Sequence, residues 1–136
     1  MDMKKGIIPI VLALVLCFTA LPCQAKEIHN STVTIDYIHT TEPRMSLSFS
    51  GNTANCLIHC SLNKANSTVR GTMVLYDITS KRNISSWNLS GTGSLNSKQT
   101  AVASKGHSYR LTFNGTVKTA SGLSEQVNIS QEKTFY

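Results

Sequence analysis

Period two runs through this sequence. Between Thr32 and the C-terminus, apolar residues sit at alternate positions, with Ser, Thr, Asn or charged residues between them. Successive side chains of an extended chain point to opposite sides, so the pattern describes strands with one buried face and one wet face. No stretch of that region repeats at 3.6 residues, and Ser, Thr, Val, Ile and Tyr outweigh the strong helix formers.

The runs follow one another closely. Thr32 to Ile38 alternates through Val33, Ile35 and Tyr37. Pro43 breaks the chain, and Met45, Leu47 and Phe49 then alternate with serines. Gly51-Asn52 is a turn. Ala54, Cys56, Ile58, Cys60 and Leu62 share the next face, with Asn55, His59 and Ser61 opposite. Val69 to Tyr76 follows, then a polar loop from Asp77 to Asn83, and a return strand over Ile84 to Leu89. Gly91 and Gly93 mark a bend. Gln99 to Ala103 is a short strand, and Lys105-Gly106 turns it. Tyr109, Leu111 and Phe113 open a longer one. Asn114-Gly115 is a hairpin signal, yet Gly115 and Val117 keep the alternation, so a continuous strand is preferred. Ala120-Ser121-Gly122 turns the chain, Val127 and Ile129 seed the last strand, and Phe135 closes it. About eight short strands, each with one apolar face, call for an all-β, immunoglobulin-like antiparallel sandwich of about seven or eight strands. A small closed barrel is the alternative.

The first 25 residues stand apart. Lys4 and Lys5 precede an uncharged apolar run, Ile7 to Ala20, and then Leu21, Pro22, Cys23, Gln24 and Ala25. This is the layout of a secretory signal peptide, with Cys23 and Ala25 as the small residues before a cut. The run spans 14 residues, short of the ~20 that cross a bilayer. Neither Cys17 nor Cys23 follows a small residue, which argues against lipidation. The expected product is a single domain, residues 26–136, secreted or held in the cell envelope without a stable membrane span.

That product carries 11 basic and 6 acidic side chains. The cations are scattered and serve solubility and edge protection, although a diffuse positive field also favours an anionic envelope polymer. Nucleic acid is not an expected partner, because no stripe of basic and aromatic residues exists.

Four segments carry a resemblance: LSFSGNTANCLIHC from Leu47, STVRGTMVLYD from Ser67, SSWNLSGTG from Ser85 and SKGHSYRLTFNGTV from Ser104. In this order they resemble a group of small signal-bearing proteins of Gram-positive gut bacteria, single immunoglobulin-like β-sandwiches whose function is not established. The resemblance covers roughly two thirds of the exported part. It implies fold and export, and it brings no catalytic residue. Cys60 departs from the pattern.

Cys56 and Cys60 invite a disulfide in an exported chain. Four residues of strand rise about 13 Å, whereas a bridge needs Cα atoms within ~7 Å. On one strand they stay apart as buried thiols. A bridge requires the segment to turn, and pairing between molecules is a third option. Cys56, His59 and Cys60 do not converge on a strand, so no metal site is expected. No cofactor motif is present, since no helix follows Gly91-Thr92-Gly93.

His29, His39, His59 and His107 read as solvated surface residues, and no serine sits in Gly-x-Ser-x-Gly. A hydrolase needs a nucleophile, a base and an orienting group in contact. Contact of any histidine with a cysteine or carboxylate would point that way. Asn-x-Ser/Thr triplets begin at Asn30, Asn66, Asn83, Asn88, Asn114 and Asn128. They are glycan acceptors in a eukaryotic pathway and by-products of composition in a Ser/Thr-rich bacterial chain.

The expectation is an exported, non-catalytic binding or interaction module. Its candidate surface is the Asp77 to Asn83 loop with Trp87, comprising Trp87, Lys81, Arg82 and Tyr76. The partner would be a protein or glycan at the cell surface. The alternatives are a structural or self-associating envelope protein and, less favoured, a hydrolase or metal-dependent enzyme.

Overall fold

The computed structural model describes residues 38–136. The leader and most of the Thr32 to Ile38 run lie outside the described residues. Within them are seven strands: β1 (Arg44–Ser50), β2 (Thr53–Ser61), β3 (Thr68–Asp77), β4 (Arg82–Thr92), β5 (Ser94–Val102), β6 (Ser108–Lys118) and β7 (Ser124–Thr134). They form two antiparallel sheets, ordered β1-β2-β5 and β4-β3-β6-β7. No helix among the described residues is long and apolar enough to cross a membrane.

The fold is an antiparallel β-sandwich. Its core comes from the alternating positions: Leu47, Ile58, Leu75 and Leu111 are all at most 2% exposed. In the constant-type immunoglobulin arrangement the fourth strand joins the first, second and fifth. Here β4 instead lies beside β3. A tyrosine corner marks the start of the sixth strand. The Tyr109 ring is buried, and its hydroxyl accepts from the Ser104 amide at 2.7 Å. The immunoglobulin cysteine that would follow two residues later is Leu111, and both described cysteines lie on β2. Tyr109→Phe leaves the Ser104 amide without its acceptor. We expect it to cost about 1–2 kcal/mol, read as a lower urea midpoint at unchanged slope.

Glycine settles two tight places. Gly71 on β3 faces Gly115 on β6, and the Phe113 ring lies over both. A Cβ at either would stand 2.6 Å from that ring. This explains why β6 runs straight through Asn114-Gly115: the glycine makes room for a core aromatic rather than a hairpin. At the other place β4 becomes β5 across Gly93, which has φ 72°, and the chain changes sheets.

β1, β2, β3 and β6 follow the expected bounds closely, and the edge strands β4 and β5 depart from them. β5 begins at Ser94 rather than Gln99, because Ser97 and Gln99 occupy inward positions and bond to each other at 3.0 Å. The loop after β3 shortens to a turn over Ile78–Lys81, since Arg82 and Asn83 pair with Asp77 and Tyr76. Inward polar residues on β7 latch the sheets: Gln131 accepts from the Leu47 amide at 2.8 Å. The Glu125 carboxylate accepts from the amides of Ile38 and His39 and from the Thr40 hydroxyl, at 2.9, 2.6 and 2.9 Å.

Candidate functional site

The β3–β4 turn presents the residues singled out by sequence. Asp77 ends β3 facing inward and is 1% exposed. One carboxylate oxygen accepts from the Ser80 amide at 2.9 Å, and the other meets His107 Nδ1 at 2.7 Å. Burial alone pushes this carboxyl up. The Ser80 amide, the His107 ring and the Ser80 hydroxyl oppose burial and hold it at about 2, below the ordinary 3.8. The turn is also tied to the start of β6, where the Ser108 amide donates to Thr79 Oγ1 at 3.0 Å and the Ile78 amide to the Ser108 carbonyl at 2.8 Å.

On this braced turn Lys81 and Arg82 are exposed. Lys81 takes φ 54°, a left-handed conformation that disfavours a side chain bearing Cβ. Tyr76 lies half-buried on the outer face of the sheet, opposite Asn83. Trp87 pairs with core residue Met73 and packs against the core from the inner face. The four residues do not form one surface: Lys81, Arg82 and Tyr76 share a neighbourhood, while Trp87 faces the other way.

His107 departs from the reading of a solvated histidine. It holds Asp77 although 30 residues separate them. A histidine oriented by a carboxylate is two thirds of a hydrolytic triad. The missing third is a nucleophile: among the described residues no hydroxyl or thiol hydrogen-bonds the other ring nitrogen. The thiols are buried on β2, and burial pushes Cys56 up to about 11. Burial likewise raises Cys60, with the Glu125 charge adding to it. Thiols raised in this way are poor nucleophiles. Among the described residues the arrangement orients a histidine and places no hydroxyl or thiol against its second nitrogen.

The outer face of the three-stranded sheet holds a feature outside the residues that the sequence singled out. Leu57 is the one apolar residue at an outward position of β1 or β2, and it is 38% exposed. It lies between Ser46 and Lys98, one row from Arg44, His59 and Asn96. These side chains surround a shallow depression of about 600 Å³. His59 is fixed there by Asn96 and by Ser61, the latter at 3.0 Å. The signal was available in the sequence: Leu57 interrupts an otherwise polar set of alternate residues.

The Asn-x-Ser/Thr triplets also gain a geometric reason. Asn88, Asn114 and Asn128 share one cross-strand row with Thr72. In each triplet the Ser or Thr lies two residues on, hence on the same outer face. A strand with a polar outer face writes such triplets by its own periodicity.

Compared with known protein families and with curated proteins, the chain matches none.

Proposed function

We propose that the protein is an exported, non-catalytic binding module acting at the cell surface or in the extracellular space. The leader composition supports export, and the resemblance to small signal-bearing sandwich proteins agrees with it. One observation carries the binding role: an outward leucine in a wide depression, framed by two cations, a histidine and an amide, on a face whose other outward residues on β1 and β2 are polar.

Arg44 and Lys98 flank Leu57, and no carboxylate lies at the outward positions of β1, β2 or β5. That charge pattern suits an acidic segment of a partner protein, with an aliphatic side chain set against Leu57 and carboxylates reaching the rim. A desolvated apolar contact inside a polar rim is the usual layout of an interaction hot spot. The Asp77–His107 pair acts in this reading as a brace for the β3–β4 turn.

The test is capture of cell-surface glycoproteins and wall fragments by the exported protein, compared with its Leu57→Asp and Trp87→Ala variants. We expect a retained partner whose binding falls at least tenfold for Leu57→Asp and stays within twofold for Trp87→Ala. Loss only with Trp87→Ala would move the contact to the β4 edge. A partner captured equally by all three would remove the Leu57 site.

A further inference from the structure

On the outer face of the four-stranded sheet, four side chains from two adjacent strands stand at the corners of a square. Thr68 pairs across to Lys118, and Arg70 pairs across to Thr116. Neighbouring strands lie about 5 Å apart and alternate residues about 7 Å apart. The two cations therefore sit on one diagonal and the two hydroxyls on the other. Together they line a recess of about 250 Å³. From Arg70 the surface continues into a second hollow of about 420 Å³, whose polar lining is Thr72, Asn88 and Ser90.

Among the described residues no side-chain carboxylate faces the square. The four that occur there are placed elsewhere. Asp77 is buried under His107. Glu125 holds residues 38–40. Glu132 pairs with Arg110 at 2.6 Å, and Glu42 precedes β1 of the other sheet. Like charges on neighbouring positions of a sheet repel, so Arg70 and Lys118 placed together without a partner make a favourable seat for an anion.

We propose that this square is an oxyanion subsite, and that the face around it binds an acidic glycan through a carboxylate or sulfate group on a sugar. The proposal rests on the binding-module reading but uses a different sheet from Leu57. The arginine fork suits a planar or tetrahedral oxyanion, and the Thr68 hydroxyl can add a donor, while the Thr116 hydroxyl is held by the Gln126 side chain. Around it the face offers neutral amides and hydroxyls: Thr72 Oγ1 donates to Asn88 Oδ1 at 3.0 Å, and Thr116 is linked to the Gln126 amide at 3.0 Å. Such groups match sugar hydroxyls. No aromatic ring lines either hollow, so nucleobase stacking has no platform there.

The experiment measures binding of the exported protein to an oligogalacturonate, its carboxyl-reduced neutral counterpart and a sulfated dextran. Single-stranded DNA and anionic phospholipid vesicles serve as competitors. Variants are Arg70→Gln and Lys118→Gln, singly and together, with Lys105→Gln and Lys133→Gln as charge controls. Circular dichroism checks each fold. We expect saturable binding of at least one acidic glycan, at least tenfold weaker binding of the neutral one, about a threefold loss for each single variant and at least tenfold for the pair, in line with surface charge contacts. The controls should stay within twofold. Carboxylate and sulfate arms tell which oxyanion is preferred. Failure of both acidic glycans to bind, or an equal loss across all four cations, overturns the subsite. DNA or vesicles bound as tightly through the same two residues would overturn its assignment to glycans. Leu57-dependent capture that persists while acidic glycans are ignored would remove this site and leave the binding module standing.

Discussion

Replacing Gly91 with alanine should cost about 3–4 kcal/mol of unfolding free energy, at the upper end of single substitutions. A Cβ at residue 91 would stand 2.0 Å from the carbonyl oxygen of Ser94. The obstacle is backbone, so no rotamer change relieves it. The backbone cannot yield easily either. Gly93 donates to the Ser67 carbonyl at 2.9 Å and accepts from the Leu62 amide at 3.0 Å, which pins the crossover between the sheets. Small domains are stable by only about 5–15 kcal/mol, so this one methyl group removes a large share. Gly51→Ala is the proper comparison. Gly51 has φ 59° but open space around it, and should cost about 1 kcal/mol for the left-handed backbone alone. Urea unfolding of both variants checks the difference. Equal costs would show that the crossover is looser than described.

The second large effect belongs to Asp77. Asp77→Ala should cost about 2–4 kcal/mol at neutral pH, because it strands the Ser80 amide and the His107 ring beside a buried void. The carboxylate also gives the fold a pH dependence whose sign follows from its depressed pKa. A group held at about 2 instead of 3.8 contributes stability that is fully present above its ordinary value. That contribution is lost as pH falls from about 4 toward 2, and is about 2 kcal/mol by linkage. Urea midpoints of the wild type and Asp77→Asn, followed between pH 6 and pH 2, should therefore converge at the acid end. The other carboxylates titrate in both proteins, so the comparison isolates Asp77. Parallel curves would mean that the Ser80 and His107 bonds contribute little.

How far the sequence could be read depended on where a strand sits. β1, β2, β3 and β6 bury their inner faces in the core, and residues such as Leu47, Ile58, Met73 and Phe113 announce them by strict alternation. β5 and β7 are sheet edges, where Ser97, Gln99 and Gln131 can point inward because other polar groups satisfy them. Their apolar signal is thinned by that use, which is why β5 read five residues short. Gly91 and Gly93 announced a bend, but nothing local announced a change of sheet.

The sites were less legible, for a related reason. Alternation assigns a side chain to one of two faces, and it placed Tyr76 correctly opposite Leu75. It gives no register across a hairpin, and the β4 register shifts between Leu75 and Tyr76. The relation of Trp87 to Tyr76 was therefore beyond reach. Asp77 and His107 meet through two turns that only the folded sheet brings together. The Arg70 and Lys118 square likewise exists only once β3 and β6 are paired. Leu57 was the exception, an apolar residue on a polar face that local pattern alone exposes.

The most direct measurement is an amide chemical-shift titration of the exported protein with polysaccharide from its own cell surface, with the polysaccharide recovered and analysed afterwards. We expect saturable shifts confined to outward positions of one sheet, Arg70 and Thr116 among them, and a polymer recovered unchanged in length and substitution. Shifts centred on Asp77 and His107, together with a cleaved or modified polymer, would contradict a non-catalytic binding module.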